Sequence, residues 1–152
     1  MKKLFKICLS LILILAFASI LFFYVGDFGG KKNLTIKTAK GAFNYHVEKA
    51  LTPQAQQKGL MYRKHLASKS GMIFIFNPPR VARMWMKNTF IPLDMVFFDR
   101  LGRVVHVHQY AIPHDETIIS SEIPVAGVLE INAGDAQKYD IRKGSVLELN
   151  KQ

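Results

Sequence analysis

The sequence predicts a mostly β protein with short helices, of the α+β class, folded as a compact, antiparallel, barrel-like or sandwich-like single domain. The prediction places this domain after an N-terminal transmembrane or signal segment. Three observations support it. The 152 residues suit one domain. About eight short strand-like runs, separated by turn residues, follow the N-terminal segment. No alternation of strand and helix favours a doubly wound parallel sheet.

A charge-free apolar run opens the chain. Residues 7–25 carry no charged side chain and follow three lysines in the first six residues. As a helix this run would rise about 28 Å, close to the thickness of a hydrocarbon core. Ala16-Phe17-Ala18 offers a signal-cleavage site, but a cut there would leave the apolar residues 20–25 exposed. We therefore predict an uncleaved membrane anchor, with a cleaved signal as the alternative.

The predicted organisation is an anchor or signal segment plus linker in residues 1–30 and a β-rich soluble domain in residues 31–152. Lysines flank residues 7–25 on both sides, so counting positive charges does not decide the orientation. A short basic start before an apolar run is nevertheless how export signals begin. We expect the soluble domain outside the cytoplasm, in the periplasm or at the cell exterior, or secreted if the signal is cleaved.

The net charge of +10, from 21 basic and 11 acidic residues, would suit a nucleic-acid partner. The basic residues are dispersed, however, and an exported domain does not meet nucleic acid. The charge therefore predicts an anionic ligand or anionic lipid head groups and no nucleic acid. The one cysteine, Cys8, lies in the apolar run, which excludes an internal disulfide and a multi-cysteine metal site.

The first elements of the soluble domain are predicted to be two strands and a helix. Residues 33–38 and 43–51 are strand-like and lie on either side of a turn at Lys40-Gly41. Residues 52–59 predict one short helix. Thr52 can cap it, Pro53 suits its first position, and Gly59 suits a left-handed stop.

The centre of the domain predicts two neighbouring strands. Residues 71–76 are a continuous apolar run, typical of a buried strand, and Asn77-Pro78-Pro79 is expected to end it. Residues 81–88 alternate, so one face carries Val81, Arg83, Trp85 and Lys87, and the other carries Ala82, Met84, Met86 and Asn88. The remaining predicted elements are strands 93–99, 103–110, 125–132 and 145–149, a hairpin turn at 99–102 and a helical turn at 135–139.

Five motifs occur in a fixed order along the domain. They are Gly59-Leu60-Met61-Tyr62-Arg63, Gly71-Met72-Ile73-Phe74, Trp85-Met86-Lys87-Asn88-Thr89, Ile91-Pro92-Leu93-Asp94 and Val128-Leu129-Glu130-Ile131-Asn132-Ala133-Gly134. From about Ala50 to Leu149, the chain thereby resembles the bacterial and archaeal family called domain of unknown function 192. The resemblance implies a single β-rich domain, often behind an export signal or anchor, with no established activity.

The chain departs from the family pattern at three places. Ala55-Gln56-Gln57 lies where an acidic residue is common, Gly144-Ser145 where Gly-Asp is usual, and His114 in a loop that holds a cysteine in some members. A mechanism that needs those acids or that cysteine is therefore not expected in this chain.

A tryptophan between two cations is the first candidate site. Indole can stack on a ligand while guanidinium and ammonium groups pair with its acidic group, so this pattern suits an anionic or sugar-like molecule. Glu130 interrupts an apolar strand and needs a partner if it is buried, for which Lys87 or Arg63 would serve. The candidate ligand-binding residues are Arg63, Arg83, Trp85, Lys87, Asn88, Asp94 and Glu130.

Two alternatives to this site stay open. The same residues could instead form a structural cation–π ladder on an exposed sheet face, or a buried Lys–Asp pair that fixes the Pro92 turn. Separately, His106 and His108 share one face of a predicted strand, and His114 and Asp115 follow a short loop away. Such residues could hold a catalytic metal, although structural histidines are the more common explanation.

The predicted function is a non-enzymatic small-ligand-binding or accessory module without a cofactor. The alternatives are a metal-dependent or hydrolytic enzyme of the cell envelope that uses the histidines, and a structural partner of an envelope complex.

Overall fold

The computed structural model describes residues 32–149, which form one curled, seven-stranded sheet with two short helices. The predicted anchor, residues 7–25, lies outside the described residues. Within the described part, no helix has the length and apolar character needed to cross a membrane. The elements are β1 (Lys32–Thr38), β2 (Gly41–Ala50), α1 (Pro53–Lys58), β3 (Ser70–Met84), β4 (Leu93–Phe98), β5 (Val104–Ala111), β6 (Ile119–Asn132), α2 (Asp135–Tyr139) and β7 (Val146–Leu149).

The strand order in the sheet is β5-β4-β6-β3-β2-β1-β7. Neighbouring strands are antiparallel except for β2 and β3, which run parallel and are joined by a crossover that contains α1. The sheet curls until its two outer strands meet at one end, where Arg103 bridges to Val146 and the Val104 amide donates to the Ser145 carbonyl at 2.8 Å. The mostly β, α+β prediction is confirmed, and the arrangement is a half-barrel of one sheet, not a sandwich of two.

Helix α1 forms as the sequence predicts. The hydroxyl of Thr52 accepts a hydrogen bond from the Ala55 amide at 3.1 Å, and Pro53 occupies the first turn, where its missing N–H is not needed. The helix ends at Gly59, whose φ of +50° lies in a region that residues with a Cβ avoid.

The Asn77-Pro78-Pro79 segment does not end a strand, contrary to the prediction. Instead β3 continues through it as one long strand, and the register with β6 shifts between Ile75 and Arg80. Proline is tolerated at such an irregularity because no ladder hydrogen bond requires its missing N–H. The expected strand 71–76 and the first half of the expected strand 81–88 are therefore parts of one element, which ends at Met84, earlier than predicted. Strand β6 begins earlier than predicted, at Ile119, and pairs with it.

Two apolar clusters lie on opposite faces of the sheet. Strand β4 is buried along its whole length and contributes alternately to both, with Met95 and Phe97 in one cluster and Val96 and Phe98 in the other. The first cluster also contains Val128 and Met72. Because side chains alternate along β6, Glu130 points to the same face as Val128, into the side of the sheet that α1 helps to cover.

Candidate functional site

A cleft of about 470 Å³ lies between α1 and the second half of β3. Helix α1 and the residues after it line one side, and the end of β3 from Arg80, together with Trp85 just after it, lines the other. The buried side chains of Phe74, Phe76 and Glu130 form its base. The volume falls within the range of pockets that bind small molecules.

The alternation predicted for residues 81–88 is confirmed for residues 81–86, although β3 itself ends at Met84 and residues 87–88 lie in a turn. Val81, Arg83 and Trp85 are exposed, whereas Ala82 and Met86 are buried in the core. Val81, Arg83 and Trp85 all line the cleft, and the indole of Trp85 is 41% exposed. Local sequence pattern therefore placed two of the candidate residues, Arg83 and Trp85, correctly on one surface.

Glu130 is the buried carboxyl of the cleft, with 5% of its surface exposed. Met72 and Met95 are its neighbours on the adjacent strands, and its Oε2 atom has no hydrogen-bond partner among the described residues. Burial raises the pKa of Glu130 to about 8, although the positive charge of Arg63 opposes this shift. At neutral pH the carboxyl is therefore mostly protonated and can donate a hydrogen bond.

Neither partner expected for Glu130 pairs with it, so that prediction is wrong. Arg63 instead donates two hydrogen bonds to Glu48, at 2.7 and 2.6 Å, which raise its pKa. It lines a separate depression of about 350 Å³, beside Glu48. The Lys87 ammonium lies 3.5 Å from Glu116 Oε2. Arg63 and Lys87 each interact with a different carboxylate, so neither cation forms an ion pair with Glu130.

Three cations surround the cleft without an acidic partner. Lys58, Arg80 and Arg83 all line it, and none forms an ion pair with a carboxylate of residues 32–149. The Arg80 guanidinium lies 4.3 Å from the centre of the Phe76 ring and donates to Gln56 Oε1 at 3.2 Å. These contacts fix the position of Arg80 and leave further donors of its guanidinium available.

Sequence reasoning missed Gln56, Lys58 and Arg80 at this site. The Gln56 amide donates to the Ala50 and Ile75 carbonyls at 3.2 Å each, so it connects α1 to β2 and β3. The sequence did single out Gln56, because it lies at one of the departures from the family pattern. Its place at the cleft, however, depends on the packing of α1 against β3, which local sequence does not reveal.

Lys87 and Asn88 lie beside the cleft but do not line it. The Lys87 ammonium is 5.5 Å from the centre of the Trp85 ring, an arrangement that resembles the predicted cation–π ladder. The Asn88 amide donates to the Tyr62 hydroxyl at 3.0 Å.

Asp94 is fully buried away from the cleft, which corrects its assignment to the rim of the site. Its Oδ1 accepts from the Tyr110 amide at 2.9 Å, and its Oδ2 accepts from the Ala136 amide at 2.8 Å. The carboxyl therefore joins the end of β5 to the start of α2. These bonds are structural, since they satisfy one backbone donor of β5 and one in the first turn of α2.

The structure does not gather the four residues of the alternative metal site. His106 stacks on Phe97 with ring centres 5.5 Å apart, and His114 packs 5.2 Å from Phe90. Hydrogen bonds from the Thr117 side chain and, to a smaller extent, from the Thr117 amide lower the pKa of Asp115, and His108 adds a smaller electrostatic effect. Within residues 32–149, no group of three or more His, Cys, Asp or Glu side chains has the geometry to hold a metal ion.

Comparisons with known proteins agree with this fold. The model of the DUF192 family, described as "Uncharacterized ACR", matches residues 35–149. No curated protein matches the chain. A crystal structure of a protein of unknown function from Novosphingobium aromaticivorans DSM 12444 is 40% identical, with a TM-score of 0.74, and the match covers 76% of this chain and 83% of that one.

A second crystal structure, of a putative transcription regulator from Sinorhizobium meliloti 1021, is 42% identical with a TM-score of 0.77. This match covers 79% of this chain and 94% of that one. The family match extends over more than half of the chain and includes both walls of the cleft. The chain therefore belongs to DUF192, an uncharacterised family, as its five ordered motifs predict.

Proposed function

We propose that this domain is a small-ligand-binding module whose cleft takes an anionic molecule. The observation that carries the proposal is the set of three unpaired cations, Lys58, Arg80 and Arg83, around one concave surface. Cations without nearby carboxylates attract anions, and a guanidinium can bind a carboxylate or phosphate through two hydrogen bonds.

The apolar part of the cleft supports a ligand with a ring or hydrocarbon body. Phe74 and Phe76 lie at its base, and the exposed indole of Trp85 lies at its edge. Pockets that bind small molecules combine such apolar surfaces with a few polar groups that fix the orientation of the ligand.

The chemistry of the lining favours binding over hydrolysis. Among the described residues that line the cleft, Glu130 is the only one with a carboxyl group. Glycoside hydrolysis commonly needs a second carboxyl group, as base or nucleophile. The hydroxyl of Thr89, the one hydroxyl side chain in the lining, donates to the Lys87 carbonyl at 3.2 Å. This bond does not activate it as a nucleophile, since a carbonyl is not a general base.

The proposed location is outside the cytoplasm, with residues 7–25 as a membrane anchor. The apolar run and its basic start support this location. A domain placed there would meet small anions and no nucleic acid. Reporter fusions after residue 31 and after residue 152 test it. Activity of a periplasmic reporter supports export, and activity of a cytoplasmic reporter contradicts it.

Thermal unfolding of the detergent-solubilised full chain with a panel of small carboxylates and phosphates tests ligand binding. A ligand that binds the native state raises the melting temperature. We expect at least one anion to raise it for the wild type and for Arg100→Ala, which removes an exposed cation from the 99–102 turn. Arg83→Ala should lose the effect. If no anion raises the melting temperature, or if Arg83→Ala responds like the wild type, the proposal is wrong.

A further inference from the structure

We infer that the ligand is an acidic sugar: Glu130 donates a hydrogen bond to an uncharged ring or hydroxyl oxygen at the base of the cleft, while Lys58, Arg80 and Arg83 bind an acidic substituent at its rim. This inference rests on the proposed function and adds the chemical class of the ligand.

The first step is the unsatisfied oxygen at the base. Glu130 lines the cleft with 5% of its surface exposed, and its Oε2 atom is buried without a hydrogen-bond partner among the described residues. A buried polar group without a partner is costly, so native structures rarely keep one without a functional reason. Gly59 approaches this oxygen, and Met72 and Met95 are the register partners of Glu130 on the adjacent strands; none of the three has a polar side chain. A ligand oxygen that enters the cleft would supply the missing partner.

The second step concerns the charge of the ligand group that can bind next to Glu130. Among the described residues, Arg63 is the charged group that acts on Glu130, and the neighbours Gly59, Met72 and Met95 are uncharged. Burial keeps the Glu130 carboxyl mostly protonated at neutral pH. A protonated carboxyl donates to a neutral oxygen, whereas a ligand anion placed there would lose its hydration without a cation in contact.

The third step is the separation of the two kinds of group. The three unpaired cations are all exposed, whereas Glu130 is buried. A single ligand that satisfies both therefore carries its acidic group at one end and a neutral oxygen at the other. A hexuronate or a sugar phosphate has this arrangement, while a fatty acid or benzoate lacks the oxygen.

The fourth step is Trp85 at the edge of the cleft. The Lys87 ammonium lies over the indole at 5.5 Å, yet the side chain remains 41% exposed. A flat aromatic ring offers a surface on which the C–H face of a sugar ring can pack, and its size supplies much of the contact area.

Isothermal titration of the detergent-solubilised full chain with matched probes tests the inference. Glucuronate and galacturonate carry both groups, cyclohexanecarboxylate carries the acid alone, and glucose carries the hydroxyls alone. We expect at least one hexuronate to bind about tenfold or more tighter than cyclohexanecarboxylate and glucose, since one satisfied hydrogen bond contributes about 1.4 kcal/mol.

Variants of Glu130 test whether its carboxyl is the group that makes a hexuronate bind more tightly than cyclohexanecarboxylate. Glu130→Gln keeps a donor and should keep most of the hexuronate preference, whereas Glu130→Leu should reduce hexuronate affinity to that of cyclohexanecarboxylate. Raising the pH above about 8 should weaken hexuronate binding to the wild type, because the donor proton is lost, and should spare Glu130→Gln. The wild-type comparison stands even if Glu130→Leu fails to fold.

The outcomes separate this inference from the proposed function. If cyclohexanecarboxylate binds as tightly as both hexuronates and Arg83→Ala abolishes its binding, the acidic-sugar inference is wrong and the anion-binding proposal stands. If none of the acids binds in a way that depends on Arg83, the proposed function is wrong as well. Equal affinity for glucose and glucuronate would overturn the role of the rim cations.

Discussion

Gly59 packs against the carboxyl of Glu130: a Cβ atom at position 59 would lie 3.9 Å from Glu130 Oε2 and 3.3 Å from the Phe74 ring. The glycine that ends α1 therefore also shapes the base of the cleft. The helix stop, which the sequence predicts from local chemistry, and the buried carboxyl, which lies on a distant strand, form one structural unit.

We expect Gly59→Ala to lower the free energy of unfolding by about 1–3 kcal/mol, measured by urea denaturation. Alanine is strained at a φ of +50°, and its methyl group would press on the Phe74 ring. Gly144→Ala is the matched control, because Gly144 also has a positive φ but no atom within 4 Å of the added methyl. If Gly59→Ala lowers the free energy of unfolding by no more than Gly144→Ala does, the expected clash of the added methyl group with the Phe74 ring is contradicted.

The stability of the protein should fall as the pH rises from about 5 to 8. The pKa of Glu130 is about 8 in the folded state, against an ordinary value of 4.5, so between these values the folded chain holds a proton that the unfolded chain has lost. Raising the pH then favours unfolding by up to about 1.4 kcal/mol per pH unit, and the effect levels off above pH 8.

Urea denaturation of the wild type and Glu130→Gln across this pH range checks the prediction. The glutamine is close in size and does not titrate, so its stability should depend less on pH. Asp135, whose pKa burial also raises, contributes equally to both proteins. Parallel curves for the two proteins would show that Glu130 is not the group responsible.

Asp94→Ala should lower the free energy of unfolding by about 2–4 kcal/mol, because it leaves the amides of Tyr110 and Ala136 without acceptors. Asp94→Asn keeps one acceptor oxygen and should lower the free energy of unfolding by less than Asp94→Ala does. Urea denaturation measures both, and ligand titration should give unchanged affinity for the protein that remains folded. An Asp94→Ala variant as stable as the wild type would contradict this structural role.

Lys87→Ala should change stability by less than about 1 kcal/mol. Its side chain is 43% exposed and its distance to Glu116 is 3.5 Å, and exposed ion pairs contribute little. Arg63→Ala should cost more, because it removes two short hydrogen bonds to a carboxylate that is 22% exposed. Thermal unfolding of both variants measures this order, and the reverse order would show that Lys87 has the larger structural role.

The sequence predicted the elements that local chemistry determines. The limits of α1 follow from Thr52 and Gly59, and the exposure of Arg83 and Trp85 follows from the alternation at the end of β3. Glu130 was identifiable as a site residue because a carboxyl in an apolar strand requires an explanation.

Contacts between distant segments were beyond this reasoning. Asp94 was assigned to a site because its partners, Tyr110 and Ala136, are far from it in sequence. Arg80 was missed because its place at the cleft depends on Gln56 in the crossover between the parallel strands β2 and β3. His106 and His108 share a strand as predicted, but the strand position brings His106 to Phe97 and not to further metal ligands.

Trp85, at the edge of the cleft, is the single tryptophan of the chain. Its indole is partly exposed and lies near the Lys87 ammonium, so its fluorescence responds to changes in solvent contact and nearby charge. The protein thus contains its own optical reporter at the position where a ligand would arrive. An emission shift on titration would report occupancy of the cleft without a label, and without a background signal from any other tryptophan.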